Sequence, residues 1–321
     1  MKSIRLRPWP EGVAILAILL LLALPLVLNI YFIHLVTGIL IYTILSIGLG
    51  VLTKTGQVSI GQSAFYGAGA YTAAIVSKYL GGGVIVEFGA AVLVTVALAI
   101  LLGYITLRMK GLFFSIATLA FTESLLVFAM NERKVIGGAT GMTVAPLFGN
   151  KIAVIYYFAL GLAALALIVS YVAYRSKLGY ASLVIKNDER LANSIGINPT
   201  RYKIAAFVIS AALSGLAGAF YVHYVTFIVP NEVFNLSISV SILAMTIFGG
   251  AYSFIGPVIG TVVLKLVEEL LRLKITYGHQ IGYGIILIVT ILFMPNGLVG
   301  LWKRKRRGGA APKGKAGRAA T

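Results

Sequence analysis

Apolar residues run along this chain in long blocks that carry no charge. Positions 12–53, 55–77, 88–107, 152–174, 204–231, 233–264 and 275–302 contain no Asp, Glu, Lys or Arg. An α-helix needs about 20 apolar residues to cross ~30 Å of hydrocarbon. The longer blocks therefore hold two crossings. The pattern predicts ten membrane helices, at 13–30, 32–53, 58–80, 84–107, 111–130, 152–173, 203–222, 235–251, 255–271 and 280–300. Strands of a membrane β-barrel would instead leave alternating segments of about ten residues, and the sequence has none. The expected fold class is an all-α, polytopic integral membrane helix bundle with a short helix on the cytoplasmic side.

Composition agrees with this reading. Of 321 residues, 59% are hydrophobic and 11% charged, and mean hydropathy is +0.96. A soluble domain carries about 25% charged residues to solvate its surface, so an ordinary soluble enzyme is excluded. The 27 Lys and Arg against 9 Asp and Glu give a net charge of +18. The polar surface that accompanies such basicity in a nucleic-acid protein is missing, and no nucleic-acid partner is expected.

Sorted by the loops between predicted spans, 20 of the basic residues fall on one side and 6 on the other, with Lys265 inside a span. Lys and Arg concentrate in cytoplasmic loops, which places both termini in the cytoplasm, below the plasma (inner) membrane. The apolar run that opens the chain continues past Pro25 and reads as a retained first helix. Residues 1–302 form the predicted membrane domain, with a cytoplasmic loop at 174–202. Residues 303–321 form a basic tail expected to be disordered and held by anionic membrane lipid.

Catalytic chemistry is not apparent. The sequence has no Cys, no phosphate-binding G-x-x-x-x-G-K-S/T loop, and its histidines, His34, His223 and His279, stand far apart. Neither a metal, nor a cofactor, nor an enzymatic activity of the chain itself is expected.

The loop from Arg175 to Arg201 holds the most organised polar feature. Asn187 or Asp188 can cap a helix start, and Gly196 supplies the left-handed residue that closes it. Leu191 and Ile195, four apart, form one apolar edge. A helix of two to three turns is marginal alone in water, so this one leans on its own domain or on a partner.

At these residues the sequence resembles a known family. Asp188-Glu189 through Ala192 to Gly196-Ile197-Asn198, followed by Arg201-Tyr202-Lys203, is similar to the "EAA" coupling loop of ABC importer permeases. More specifically, it resembles the version in branched-chain amino-acid permease subunits of the M type. Gly56 to Tyr71, Gly111 to Phe121, Gly137 to Gly141, Phe248-Gly249-Gly250 with Gly256 to Gly260, and Pro295 to Leu298 resemble further segments of that family. Leu191 stands where the motif usually has a second Ala. The resemblance implies a subunit without its own ATPase. It would pair with a second permease, two cytoplasmic ATP-binding subunits and an extracytoplasmic solute-binding protein. Asp188 and Glu189 would orient the coupling helix, and Leu191, Ala192, Ile195 and Gly196 would fit it to the ATPase subunit. Branched-chain or other small apolar amino acids are the implied substrates, with urea, amides or sugars as the alternative within the same superfamily.

Polar groups within the spans are the remaining candidates. Gln57, Ser59, Gln62 and Ser63 cluster among glycines where the third span begins. Broken, glycine-rich helices mark substrate paths, and small residues also serve tight helix packing; both roles fit. Glu123 lies deep in the fifth span, where an ionisable group should face the bundle interior and have a partner. It reads either as lining of the translocation path or as a buried hydrogen-bond anchor. Glu87, Glu132, Glu232, Glu268 and Glu269 fall toward the external side, where they could meet a binding protein or simply be solvated. A stand-alone ion-coupled carrier would be expected to hold several groups like Glu123.

Overall fold

The computed structural model describes residues 21–25, 29–109, 111–274, 281–286, 288, 297 and 298. The predicted spans 13–30 and 280–300 lie largely outside these residues, and the tail 303–321 entirely so. Most of the charge-free sequence among these residues becomes helix: α1 (Ile30–Thr53), α2 (Gln62–Ile75), α3 (Val84–Thr106), α4 (Leu112–Asn131) and α5 (Ile152–Arg175) follow in order. Two short helices, α6 (Lys177–Asn187) and α7 (Glu189–Ser194), precede the long α8 (Pro199–Val225). The series ends with α9 (Pro230–Val233), α10 (Leu236–Gly249) and α11 (Gly256–Lys274). Among the described residues, six helical segments are long and apolar enough to cross a membrane: α1, α3, α4, α5, α8 and the α9–α10 pair. The chain is therefore an all-α polytopic membrane protein.

Helix α8 is the axis of the bundle, packed against α1, α2 and α3. Its small residues permit this. Gly69 of α2 and Gly215 of α8 meet backbone to backbone, leaving no room for a side chain at Gly69; close approach of this kind is how apolar helices gain dispersion contacts within lipid. Aromatic residues fill the wider gaps. Phe207 lies edge-on to both Phe65, at 5.2 Å between centroids, and Phe114, at 5.7 Å. Helix α5 covers α1, and α10 and α11 pack on one another and on α1.

The predicted span 58–80 becomes helical only at Gln62. Residues before it run non-helically, and α4 supplies the hydrogen bonds they would otherwise lack. Ser115 Oγ donates to the Val58 carbonyl at 2.6 Å, and Thr118 Oγ1 accepts from the Ile60 amide at 3.2 Å. Irregular backbone at membrane depth is tolerated where protein groups satisfy it in this way. At its far end α2 continues as a π-helical turn, Val76–Leu80.

The connections sort to two ends. Loop 54–61, helices α6 and α7, and the turn at 250–255 share one end. At the other, β1 (Met142–Thr143) pairs antiparallel with β2 (Phe227–Ile228), near α9 and the C-terminal end of α11.

Candidate functional site

The first end carries α7 and the turns that hold it. Asp188 leaves helical geometry (φ −156°, ψ 115°), ending α6 and capping α7: its Oδ1 accepts from the amides of Arg190 at 2.8 Å and Leu191 at 3.3 Å. Gly196 takes φ +81°, allowing the Ile197 amide to bond back to the Ala192 carbonyl at 2.9 Å. Asn198 then caps α8 through the Arg201 amide, with Pro199 as the first helical residue. Ala192 is fully buried against Ala181 and Ile185 of α6. Leu191 and Ile195 point away, 54% and 59% exposed. A six-residue helix thus keeps one small residue for its own domain and presents two large apolar ones outward.

Glu189 reaches across the turn to Lys203 of α8, Oε1 to Nζ 2.6 Å, and Lys203 is only 3% exposed. This pair fixes α7 to the base of the central helix. Two further cations at this end sit on aromatic faces. Lys54 Nζ lies 3.4 Å from the Tyr174 ring centroid, and Lys186 Nζ lies 3.1 Å from that of Tyr252. Burial pushes the Lys54 ammonium down to about 7.

The polar candidates of the third span are turned inward. Gln62 is fully buried, donating to Ser210 Oγ at 2.6 Å and accepting from Ser214 Oγ at 3.1 Å. Ser63 bonds Ser239 of α10. Ser59 Oγ accepts the Gly61 amide, and Gln57 is buried with Nε2 3.5 Å from the Met109 carbonyl. Gln62 and Ser63 thus join α2 to α8 and α10, and Gln57 reaches the turn after α3. Glu123 departs from the expectation that it faces the bundle interior. It is exposed on the outer stripe of α4 with Phe113, Ile116, Ala120 and Val127, while Phe114, Ser115, Thr118 and Thr122 take the inner face. The burial rule requires a polar neighbour and does not say that the neighbour lies in the same chain.

The sequence has known counterparts. The family described as "Branched-chain amino acid transport system / permease component" matches residues 31–294. The chain belongs to this family. It is 31% identical over 293 residues to the high-affinity branched-chain amino acid transport system permease protein LivM of Salmonella typhimurium, covering 82% of this chain and 68% of that one. To LivM of Escherichia coli it is 30% identical over 304 residues, 85% of this chain and 71% of that one. A probable branched-chain amino acid transport permease protein LivH of Methanocaldococcus jannaschii is 30% identical over 143 residues, 42% and 44% of the two chains.

The opposite end of this permease holds two arrangements that sequence reasoning missed. Glu87, expected among the external loop charges, is buried. Its Oε2 lies 2.7 Å from His223 Nε2, and His223 Nδ1 lies 3.0 Å from the Ala145 carbonyl. The carbonyl only accepts, so Nδ1 carries a proton. The imidazole thereby ties α3, α8 and the loop after β1 together. Lys265 does not stand alone in its span: it pairs with Glu268 at 2.9 Å and lies 3.6 Å over the Tyr42 ring. No sequence spacing announces the Glu87 pair. The i,i+3 relation of Lys265 and Glu268 was a readable signal.

Proposed function

We propose that the chain is one permease subunit of an ABC importer that carries branched-chain or other small apolar amino acids across the plasma membrane. A second, LivH-like permease pairs with it, two cytoplasmic subunits hydrolyse ATP, and an extracytoplasmic solute-binding protein delivers substrate. The observation that carries this reading is the capped, tethered α7 with Leu191 and Ile195 turned outward. An apolar edge held rigidly at the end of a bundle transmits motion from a partner groove; it has no use in a carrier that works alone. The loop charges support a cytoplasmic position for this edge and for both termini, and the sequence pattern supports ten crossings. Glu123 and the outer stripe of α4 fit against the second permease, where a polar neighbour would satisfy the carboxyl and where the path between subunits would run. Membership of the family and the two LivM relatives support the substrate class.

The test is leucine uptake into liposomes holding this chain, its partner permease and the ATPase subunits, with the binding protein supplied outside. ATP-dependent uptake is expected, falling at least tenfold in Leu191→Asp and Ile195→Asp, whose exposed positions leave folding intact. Gly196→Val, which forces a β-branched residue into left-handed backbone, should behave likewise. Uptake driven by an ion gradient without ATP overturns the reading.

A further inference from the structure

A cavity of about 400 Å³ opens at the end of the bundle opposite α7, between the start of α1, the last turn of α8 and the last three turns of α11. That volume suits a small molecule rather than a single ion. Its lining divides into two kinds. Leu35, Gly38 and Ile39 of α1 make an apolar floor, and a Cβ built at Gly38 would meet nothing within 4 Å. Facing them on α11 stand two carboxylates and two cations within eight residues: Lys265, Glu268, Glu269 and Arg272.

These charges are incompletely engaged with one another. Lys265 is 2.9 Å from Glu268, but Arg272 is 3.8 Å from Glu269 and its side chain is 69% exposed. The Tyr31 hydroxyl donates to Glu269. His34 Nδ1 and the Tyr224 hydroxyl are hydrogen-bonded at 2.6 Å, bridging α1 to α8 on the cavity wall. The cluster is charge-balanced, and this restricts what it can accept. A lone anion or cation would add net charge beside side chains partly withdrawn from water, Lys265 at 15% and Glu269 at 17% exposed, which is unfavourable. A zwitterion adds none. Its ammonium can share Glu268 and Glu269, its carboxylate can take free donors of Lys265 and Arg272, and an aliphatic side chain can lie on the floor beside Gly38.

We propose that this cavity is a binding site for a free α-amino acid, holding it by both charged ends on α11 and by its apolar side chain on α1. The inference rests on the proposed transport function and adds a site to it. It places substrate recognition within the permease, in addition to any made by a solute-binding protein. A phosphatidylethanolamine headgroup has similar charges, and the experiment separates the two sources.

The test uses the complete assembly in nanodiscs, without binding protein, and measures [³H]leucine binding. The wild type should bind leucine saturably. Leucinamide, which lacks the carboxylate, and 4-methylpentanoate, which lacks the ammonium, should each compete at least tenfold more weakly than leucine. Gly38→Leu, whose Cβ meets nothing within 4 Å, puts a side chain into the floor and should cut leucine affinity at least tenfold while the protein still purifies folded; Lys265→Met should lose affinity similarly. Unchanged affinity in both variants overturns the proposal. So does leucine binding abolished by phosphatidylethanolamine in place of phosphatidylcholine in Gly38→Leu and wild type alike, which would assign the cavity to lipid. If the wild type fails to take up leucine with ATP and binding protein present, the transport reading fails. The cavity is then judged by thermal shift with a panel of α-amino acids, and a shift that Gly38→Leu removes upholds the site, whereas none overturns it.

Discussion

Lys203 and Glu189 form a pair of unequal partners: their charged atoms are 2.6 Å apart, yet the lysine is 3% exposed and the glutamate 31%. Removing either breaks the same contact with different consequences. Glu189→Gln strands a buried ammonium, whereas Lys203→Met leaves a carboxylate that water can reach. We expect Glu189→Gln to cost about 1–3 kcal/mol, the buried-pair figure reduced for solvent screening, and Lys203→Met to cost less. Thermal unfolding of the two variants in detergent decides this; equal losses would mean that α7 is anchored by other contacts.

Glu87 and His223 predict a graded response. Glu87→Ala leaves the imidazole Nε2 without its buried partner and should cost about 3 kcal/mol. Glu87→Gln can still donate to or accept from the ring and should cost less than half as much. A double variant with His223→Leu should recover part of the Ala loss, and strict additivity in that cycle would disprove direct coupling.

Gly69 meets Gly215 backbone to backbone. Gly69→Val has to push α2 off α8, and overpacking at such a site costs about 3 kcal/mol. The expected outcome is loss of folded protein in size-exclusion chromatography. Gly161, whose Cβ would enter open space, is the control: Gly161→Val should purify normally.

Lys54 gives a pH signature. Burial lowers its folded-state value to about 7 from the ordinary 10.5. Between those limits the unfolded chain holds the proton that the folded chain has shed, so this group's contribution makes stability rise with pH across the window. Lys54→Met should therefore raise the melting midpoint most at pH 6, with the gain fading toward pH 10. An equal gain at both ends would show that the ammonium is not the cause.

What the sequence made legible is what is local. The Asp188 cap and the Gly196 stop lie within nine residues of each other, and turn chemistry places both. Residues 84–107 and 152–173 read as helices because they are built on the charge-free blocks 88–107 and 152–174, and α3 and α5 lie there within two residues at each end. Long-range partnership was hidden: Glu87 meets a histidine 136 positions away, and nothing at either position names the other. The stretch 58–61 was read into a span because its residues are uncharged. Its helix is replaced by bonds from Ser115 and Thr118, which lie about 57 residues further on. Glu123 was assigned inward because a carboxyl at that depth must be satisfied, a rule that ignores the number of chains in the assembly.

The outward Glu123 also sets a condition on how the subunit accumulates. Left as an orphan in lipid, the chain would expose an acidic side chain to hydrocarbon, at about 2.5–3.5 kcal/mol on insertion scales. That is a factor on the order of 100 in equilibrium population. With a second permease covering α4 as proposed, the amount of folded subunit in the membrane would follow the supply of that partner. One carboxyl would thereby act as a stoichiometry counter.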